Sequence, residues 1–270
     1  MPIAQSREPS PTSRLMPSTD LSFKVLTVNT HKGFTALNRR FILPELRQAV
    51  RTVQADVVFL QEVHGTNDQH AAQHSLWPQV PQYEFMADEI WSDFAYGRNA
   101  VYPHGDHGNA ILSKFPIHRY ENHDVTVRSL NGSEKRGLLH CVLDLPDHDV
   151  HVHAICVHLG LREGHRQKQL DLLCQLIDRE VPPDAPLIIA GDFNDWRLRA
   201  HERLTRSVGV HDCFVDTYGS PPRTFPARFP CLQLDRIYAR GVEVSAPQVL
   251  STRPWSHLSD HAPLTAEIRL

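Results

Sequence analysis

Carboxylate, amide and imidazole side chains adjoin the short apolar runs of this sequence in a recurring pattern. The clusters are Asn29, Gln61-Glu62, His158, Gly191-Asp192-Phe193-Asn194, Leu234-Asp235-Arg236 and Ser259-Asp260-His261. Ligands of open sheets bind where loops leave the ends of the strands. If the ends of these runs meet, they form a cleft that contains four carboxylates, two histidines and two asparagines.

Four carboxylates in one cleft predict a bound divalent cation. Close carboxylates repel one another and have raised pKa values unless a positive charge compensates them. Oxygen ligands favour Mg²⁺ or Mn²⁺ over zinc. Such a metal neutralises the oxygens of a phosphate ester and activates water. We therefore expect phosphate-ester hydrolysis, with His158 and His261 as acid, base or donor to a phosphoryl oxygen. An Asp235–His261 pair would orient the imidazole.

Each cluster taken alone has an ordinary structural explanation. A single Asp or Glu at a strand end is usually a turn or helix-cap residue, and Asp260-His261 alone would fit a surface pair. Several strand-end clusters with compatible chemistry make coincidence a poor explanation, so the combination favours a catalytic site.

The elements that must position these side chains are mostly strands. Helical spacing of apolar residues predicts helices over about Arg39–Val53 and Glu163–Glu180, and Pro182-Pro183 ends the second. The Pro-rich segment Ser220–Pro230 predicts an ordered loop. Short runs with many β-branched residues predict strands over Phe23–Val28, Val57–Leu60, Ala110–Leu112, Leu138–Leu145, Val150–Val157, Leu187–Ala190, Ile237–Tyr238 and Leu264–Leu270. The mixture favours an α/β or α+β fold with more than one sheet.

Composition places the chain among globular proteins. Its 270 residues are 41% hydrophobic and 22% charged, and the formal net charge of -3 lacks the basic excess of a general nucleic-acid binder. No apolar run approaches the ~20 residues of a membrane span, and residues 1–20 lack an apolar signal core. The odd cysteine count without C-x-x-C spacing favours a reducing cytoplasm. We expect a loose or disordered tail over residues 1–20, a single domain over 21–270, and a cytoplasmic monomer.

The ordered set of motifs resembles the endonuclease/exonuclease/phosphatase superfamily over residues 23–270. Besides the clusters above, the set includes Gly108-Asn109-Ala110-Ile111-Leu112-Ser113, and the phrase Asn29-Thr30-His31-Lys32-Gly33-Phe34 is most similar to a poorly characterised bacterial branch. The resemblance implies an α/β four-layer sandwich, with two mixed sheets packed face to face and flanked by helices. It also implies Mg²⁺- or Mn²⁺-dependent hydrolysis of phosphodiesters or phosphomonoesters (EC 3.1 type).

The resemblance also implies which residues hold the metal and the attacking water. Glu62 would be the main metal ligand, assisted by Asn29 and Asp260. Asp192 would position or deprotonate the water, and Asn194 would orient the water or the phosphate. The number of metal ions, one or two, stays open.

The remaining implied roles concern the phosphoryl group. His261, paired with Asp235, would contact a phosphoryl oxygen or act as the base. His158 would stabilise the pentacovalent transition state from the other side. Because family members differ in whether Asp or His is the base, both Asp192 and His261 remain candidates.

Four further residues are expected to meet phosphate. Arg136 and Arg162 resemble positions where the family often places arginine, whose guanidinium group suits phosphate oxygens; solvated surface arginines are the alternative. Asn109 belongs to the shared motif. At His31 some nuclease members carry an acidic residue, so the sequence departs from the pattern there, and the exact ligand set stays open.

The substrate stays open between several classes. Endonuclease or exonuclease action on DNA or RNA competes with phospholipase-C-like headgroup hydrolysis and with small phosphoesters. Trp77, Trp91, Phe94 and Tyr96 would stack bases, meet lipid or, by the simpler interpretation, pack in the core. A non-enzymatic binding module on the same scaffold is the alternative from another class, and the complete set of site residues argues against it. The i, i+4 histidines at positions 70 and 74 lack the zinc-protease glutamate, which predicts a solvated surface pair.

Overall fold

A computed structural model describes residues 21–128, 132–145 and 150–270. The tail predicted for residues 1–20 lies outside the described residues. The strands are β1 (Ser22–Asn29), β2 (Val57–Asn67), β3 (Asp93–Tyr102), β4 (Gly105–Ser113), β5 (Ile117–Asp124), β6 (Gly137–Leu145), β7 (Val150–His158), β8 (Leu187–Asp192), β9 (His211–Asp212), β10 (Asp235–Arg240), β11 (Glu243–Val249) and β12 (Leu264–Arg269). The α-helices are α1 (Leu43–Val53), α2 (Asp68–Gln73), α3 (Gln82–Ala87), α4 (Glu163–Glu180), α5 (Arg199–Val208) and α6 (Cys213–Tyr218).

The strands form two mixed six-stranded sheets. The first has the order β11-β12-β1-β2-β4-β3, and the second has the order β5-β6-β7-β8-β10-β9. Strand β1 is parallel to β2, and β7 is parallel to β8. Parallel neighbours need a crossover connection, which α1 and α4 provide. At their carboxyl ends, β7 and β8 run into loops and β1 runs into a 3-10 turn, whereas β2 continues to Asn67.

Buried apolar side chains define four layers. One cluster lies between the sheets and joins Phe59 and Ile111 of the first sheet to Leu139 and Ile188 of the second. A second cluster packs the first sheet against α1 and α3, and a third packs the second sheet against α4 and α5. The predicted four-layer α/β sandwich is therefore confirmed.

Strand β1 shows how the apolar pattern builds these layers. Phe23 and Val25 belong to the cluster between the sheets, whereas Leu26 and Val28 belong to the cluster under α1. Successive side chains of a strand point to opposite faces, and helices cover the outer face. Both faces are thus buried, which explains why the run is almost continuously apolar.

The predicted bounds agree with the structure for one helix and differ for the other. Helix α4 has the predicted bounds, Glu163–Glu180. Helix α1 begins at Leu43 and not at Arg39. Phe41 pairs with Phe34 in an isolated bridge, and Pro44 lies in the first helical turn, where proline is tolerated. The residues before Leu43 therefore form a turn of their own.

Within the described residues, no helix is long and apolar enough to cross a membrane. All five cysteines are free, and Cys141 and Cys156 are buried, as predicted for small core residues.

Candidate active site

Strand register brings the predicted site residues to one edge of the sandwich. In the first sheet, Asn29 pairs with Gln61 across the parallel strands. In the second sheet, Asp192 pairs with His158 on one side and with Asp235 on the other. The two sheets meet at this edge, where Asn29 Nδ2 donates to Asp192 Oδ2 at 3.3 Å.

Asp192 lies at the centre of the cluster. Its Oδ1 accepts the backbone N–H of Asn194 at 2.9 Å, and the amide Nδ2 of Asn194 lies 3.3 Å from Oδ2. The Nε2 atoms of His158 and His261 lie 3.6 and 3.8 Å from the same Oδ2. One buried carboxylate oxygen is thus flanked by two imidazoles, which is an arrangement suited to proton transfer around a small bound molecule.

Asp235 and a serine hold His261 in place. Its Nδ1 donates to Asp235 Oδ2 at 2.8 Å, because a carboxylate accepts and does not donate. The backbone N–H of His261 lies 3.2 Å from Ser259 Oγ, which itself donates to the carbonyl of Asn29 at 2.7 Å. The ring of Phe225 lies 5.0 Å from the imidazole. These contacts direct Nε2 towards Asp192.

A second carboxylate pair lies beside this centre. His31 Nδ1 is 3.3 Å from Asp260 Oδ2 and 3.9 Å from Glu62 Oε2, and Lys32 Nζ is 3.6 Å from the same Glu62 oxygen. Glu62 Oε1 lies 4.0 Å from His158 Nε2. The two carboxylates are therefore bridged by the imidazole of His31, and both adjoin the Asp192 centre.

Unusual backbone conformations aim two of these side chains. Glu62 has a φ of +55° and Asn194 a φ of +51°, in the left-handed region that non-glycine residues seldom adopt. At Glu62 the register between β2 and β4 shifts, as in a β-bulge. Bulges next to sites re-aim side chains, and strained backbone of this kind clusters where function requires it.

Burial and charge shift the pKa values of the central groups. Burial raises the pKa of Asp192 to about 7, and the charges of Asp235 and Glu62 add to this effect. Burial and the nearby Arg136 hold the pKa of His158 well below its usual range. For His261, burial lowers the pKa, but Asp235 and Asp192 outweigh it and raise the value to about 10.

The residues predicted to meet phosphate are placed in different ways. Asn109 is buried and donates to the carbonyls of Gly137 and Cys156, while its Oδ1 has no hydrogen-bond partner in the part of the chain that the structure describes. Arg136 is half-buried, and its Nε donates to the carbonyl of Leu159, the residue after His158. Arg136 therefore lies at the cleft with part of its guanidinium group engaged by the backbone.

Arg162 lies directly before a helix, and His31 lies in a turn after β1. Arg162 is exposed and caps α4, where its carbonyl accepts from the first turn. If the strand continued past Asn29, alternation would place His31 on the same side as Asn29. The strand instead ends at Asn29, and His31 begins a 3-10 turn with a φ of +45°. The N–H of His31 donates to Asn29 Oδ1 at 3.0 Å, which brings the imidazole back to the site.

Two residues that support the site were given no role by the sequence analysis. Arg166 is fully buried, donates to the carbonyls of Gly160 and Leu161 and so holds the loop after His158. Ser259 joins the last loop to β1, as described above. Ser259 was visible as part of the Ser-Asp-His motif, whereas Arg166 looks like any charged residue of an amphipathic helix.

The i, i+4 histidines are not a solvated surface pair. His70 and His74 are half-buried, and their rings stack on Trp77 and Phe41 respectively. Among the described residues, the only cluster that places three possible metal-ligand atoms within 4.8 Å of one another is Asp192, Asp235 and His261. The histidines at positions 70 and 74 are therefore part of an aromatic cluster.

The core interpretation of the aromatic residues is confirmed most clearly for Trp91. Trp91 is buried, and its Nε1 donates to the carbonyl of Ala55. Tyr96 donates to Asp106 at 2.6 Å, and Trp77 packs against the α1 cluster. Only Phe94 is substantially exposed among the four.

This fold, with a carboxylate–imidazole centre at one edge of the sandwich, defines a class of phosphoesterase-like proteins. The sequence profile of the endonuclease/exonuclease/phosphatase family matches residues 26–261. The chain belongs to this family.

The chain is also similar to individual proteins. It is 57% identical over 249 residues to a protein named "Uncharacterized protein YbhP" of Escherichia coli (strain K12), covering 92% of this chain and 97% of that one. It shares its fold with the mannosyl-6-phosphatase Bt3783 of Bacteroides thetaiotaomicron VPI-5482 (TM-score 0.68, 16% identity, 91% and 99% coverage). The D. rerio TDP2 complexed with single strand DNA product is similar to the same extent (TM-score 0.66, 18% identity, 92% and 98% coverage).

Divalent metals are general in this family, and the donor set fits one. Glu62, Asp260 and Asn29 offer oxygen atoms, which hard cations prefer. Burial of Asp192 beside other carboxylates raises its pKa, and a cation relieves that repulsion. The side-chain Nε2 of His31 and Oδ1 of Asn109 are buried without partners among the described residues. The site therefore has the charge and the unpaired polar atoms that a metal–phosphate group would satisfy.

Proposed function

We propose that the protein is a Mg²⁺- or Mn²⁺-dependent hydrolase that cleaves a phosphodiester or phosphomonoester bond by in-line attack of water. The observation that carries this proposal is the placement of two imidazole Nε2 atoms, of His158 and His261, within 4 Å of one oxygen of Asp192. Family membership supports the reaction class, since its members are phosphoester hydrolases. We further propose that residues 21–270 form one catalytic domain and that the protein acts as a cytoplasmic monomer, which the free cysteines support.

Glu62, Asn29 and Asp260 would hold the metal. A bound divalent cation neutralises charge on the phosphate oxygens and lowers the pKa of water. His31 and Lys32, which now contact Glu62, would then face the substrate phosphate. The metal would then lie on one side of the scissile bond, and the side chains of His31 and Lys32 would lie on the other.

Asp192 would position the attacking water and take its proton. Asn194 holds Oδ1 of Asp192 through its backbone N–H. The attacking water would bind at Oδ2, which faces the two imidazoles and which the amides of Asn29 and Asn194 hold in place at 3.3 Å. The water oxygen bonds to phosphorus, the P–O bond to the leaving group breaks, and the leaving oxygen receives a proton. His261 is the alternative base because its Nε2 faces the same place, but its pKa, raised to about 10 by Asp235 and Asp192 against burial, keeps it protonated near neutral pH and favours Asp192.

The two imidazoles would stabilise the charge that spreads over the phosphoryl oxygens. Asp235 fixes the proton on Nδ1 of His261, which leaves Nε2 for the phosphoryl group. His158 would approach from the other side, and Arg136 beside it adds positive charge. Preorganised donors of this kind are usually the largest contribution to catalysis.

The fold of the protein does not identify the class of phosphate ester that it cleaves. Mannosyl-6-phosphatase and a single-strand DNA product appear in the names of structures with the same fold, so the fold alone does not distinguish small phosphoesters, nucleic acids and lipid headgroups. The net charge of -3 gives no support to a duplex nuclease, which needs many phosphate contacts. A nuclease therefore stays a second candidate.

The test is a substrate panel with Mg²⁺ or Mn²⁺. It contains bis-p-nitrophenyl phosphate, abasic and single-stranded DNA, RNA, phospholipids, and sugar or inositol phosphates. We expect metal-dependent hydrolysis of at least one member and its loss in Glu62→Ala and His261→Ala. Full activity in both variants would disprove the site assignment. Inactivity of the parent protein on the whole panel would favour the non-enzymatic binding module.

A further inference from the structure

A groove of about 610 Å³ leads from the candidate active site to the surface. Ser259 and Asp260 of the site are among its lining residues, and most of the other lining residues belong to two turns. We name residues 35–40 the first turn and residues 226–231 the second turn. Apolar residues of both turns, Ala36, Pro226 and Ala227, line the walls. The groove therefore gives an amphiphilic molecule access to the metal ligand Asp260.

The first turn is a built protrusion with an apolar tip. The Phe34–Phe41 bridge closes its base, and the N–H of Thr35 donates to the carbonyl of Arg40 at 2.9 Å. Both phenylalanines are buried in the cluster under α1. At the tip, Leu37 has a φ of +64° and is 77% exposed. The fold thus holds a leucine in a strained conformation where it makes little contact with the protein.

The second turn repeats this construction on the opposite wall. The bridge between Phe225 and Leu232 closes its base, and the N–H of Phe229 donates to the carbonyl of Pro226. The N–H of Ala227 donates to the carbonyl of Asp260 at 2.7 Å, which ties the turn to the site. Phe229, at the tip, is 81% exposed. Two apolar tips therefore flank one groove that the proposed metal ligand Asp260 also lines.

Arginines surround the two tips. Arg39 and Arg40 line the groove on the first turn, and Arg228 lines it on the second. Arg40 lies 3.3 Å from Glu45, so part of its charge is compensated. Asp260 is the one acidic residue of the lining. The two turns are consequently positive, next to the proposed metal ligand.

We propose that the two turns dock the protein on an anionic phospholipid surface, with Leu37 and Phe229 inserted among the lipids and Arg39 and Arg228 against the headgroup phosphates. This inference rests on the proposed function for the reaction and names a phospholipid headgroup phosphodiester as the substrate class. The water oxygen bonds to phosphorus, the P–O bond to the leaving alcohol breaks, and the oxygen of that alcohol receives a proton. Amphipathic surfaces bind membranes through buried apolar area and attraction to anionic lipids.

The apolar tips favour lipid over single-stranded nucleic acid. Bases are held by stacking on aromatic rings, and the tip of the first turn is an aliphatic leucine without such a ring. The walls include the small apolar residues Ala36, Pro226 and Ala227, which match acyl chains. Two further exposed apolar residues, Leu161 and Trp196, follow the site residues His158 and Asn194 closely in the chain. Apolar tips thus occur on several loops at this edge of the sandwich.

Co-sedimentation with vesicles tests the inference. We use phosphatidylcholine vesicles with and without about 30% phosphatidylglycerol, which resembles an anionic leaflet. EDTA is present, so that binding is separated from hydrolysis. We expect the parent protein to bind the anionic vesicles about tenfold or more tightly than the neutral ones. Leu37→Ser/Phe229→Ser should weaken that binding about tenfold. Arg39→Gln/Arg228→Gln should weaken it and reduce its salt dependence.

Matched variants away from the groove serve as controls. Tyr120→Ser removes an exposed apolar residue of β5, and Arg206→Gln removes an exposed arginine of α5; both should bind like the parent. Unfolding temperatures confirm that each variant is folded. Absence of binding to anionic vesicles, or equal binding by Leu37→Ser/Phe229→Ser, overturns the inference. Binding to a single-stranded oligonucleotide that Arg39→Gln/Arg228→Gln abolishes, without vesicle binding, assigns the groove to nucleic acid and also overturns it.

The same preparations separate this inference from the proposed function. Hydrolysis of soluble bis-p-nitrophenyl phosphate by the parent protein, without vesicle binding, leaves the phosphoesterase standing and removes only the lipid surface. Vesicle binding without hydrolysis of any phosphoester removes the enzyme and leaves the docking surface.

Discussion

The Nδ1 of His261 lies 2.8 Å from Oδ2 of Asp235, and this contact joins the two sheets of the sandwich. Asp235 begins β10 in the second sheet, whereas His261 precedes β12 in the first. Both side chains are buried. The imidazole is therefore oriented by the packing of the sheets before any substrate binds, which is the kind of preorganisation that lowers the cost of catalysis.

Asp235→Asn tests the role of this contact. The variant keeps the size of the side chain but removes the charge that fixes the proton on Nδ1, so the imidazole can adopt the other tautomer. By analogy with other aspartate–histidine pairs, we expect kcat to fall about 10²–10⁴-fold with little change in KM. Steady-state kinetics on the best substrate of the panel measure both parameters.

Asp144→Asn is the matched control for that variant. His151 Nδ1 lies 2.7 Å from Asp144 Oδ1, so the same type of pair occurs on the exposed surface between β6 and β7. We expect wild-type kcat from this variant. An equal loss in both variants would show that the effect is on folding and not on the imidazole at the site.

Metal binding should stabilise the protein measurably. A ligand present at 100 times its Kd stabilises the native state by about 2.7 kcal/mol, which raises Tm by roughly 5 °C or more for a chain of this size. We expect Mg²⁺ or Mn²⁺ to raise Tm of the parent protein and EDTA to reverse it. Glu62→Gln should lose most of the shift, because an amide is a weaker ligand than a carboxylate.

Glu243→Gln provides the control, since Glu243 is an exposed residue of β11. Its Tm shift with Mg²⁺ should equal that of the parent. If Glu62→Gln keeps the full shift, Glu62 is not a ligand and the proposed metal site is wrong.

The strand-end pattern predicted which side chains come together. Asn29, Asp192 and His261 follow or precede apolar runs, and the register of parallel strands brings their ends to one edge. Helix α4 was predicted to the residue because an apolar stripe ends at two prolines. These features are local in sequence, so they can be recognised without coordinates.

The details that aim the side chains were not predictable in the same way. The bulge at Glu62 depends on how β2 pairs with β4, which lies more than 40 residues away. The position of His31 depends on a turn in which His31 itself has a positive φ. A glycine at that position would have indicated such a turn, but a histidine does not. The buried role of Arg166 follows from the loop that it contacts. Tertiary pairing therefore decides geometry that local patterns leave open.

The buried histidines of the second sheet predict a loss of stability in acid. His140 Nε2 and His153 Nδ1 lie 2.9 Å apart. Burial lowers both pKa values from 6.5 to about 4. The nearby positive charge of Arg119 lowers both further, whereas Glu180 raises both. His123 also lowers the pKa of His140, and His151 and Arg240 also lower the pKa of His153.

The sign follows from proton binding. Between pH 6.5 and 4 the unfolded chain binds protons that the folded pair does not, so stability falls as pH falls through this window. Each histidine contributes at most about 1.4 kcal/mol per pH unit. We expect His140→Leu/His153→Leu to flatten the decline, as measured by urea unfolding at pH 7, 6 and 5 in EDTA.

His118→Leu is the control for this pair. His118 lies on β5 of the same sheet, and its side chain is exposed. The control should decline with pH as steeply as the parent does. An unchanged slope in the buried double variant would mean that the pair is already charged in the folded state.

Gly191 is predicted to be essential for packing, although it lies within the Gly-Asp-Phe-Asn motif. Its φ is +144°, and a Cβ there would lie 2.0 Å from the carbonyl oxygen of Val157, its partner on β7. Gly191→Ala should therefore destabilise the fold by about 3 kcal/mol or more, because backbone atoms of the central parallel strands must move apart. Gly164→Ala is its counterpart in α4, where a Cβ meets nothing within 4 Å, and it should be neutral or stabilising by up to about 1 kcal/mol. Urea unfolding of both variants measures the difference. Similar stabilities would show that β7 and β8 can separate without a loss of stability. The prediction that Gly191 is essential for packing would then be wrong.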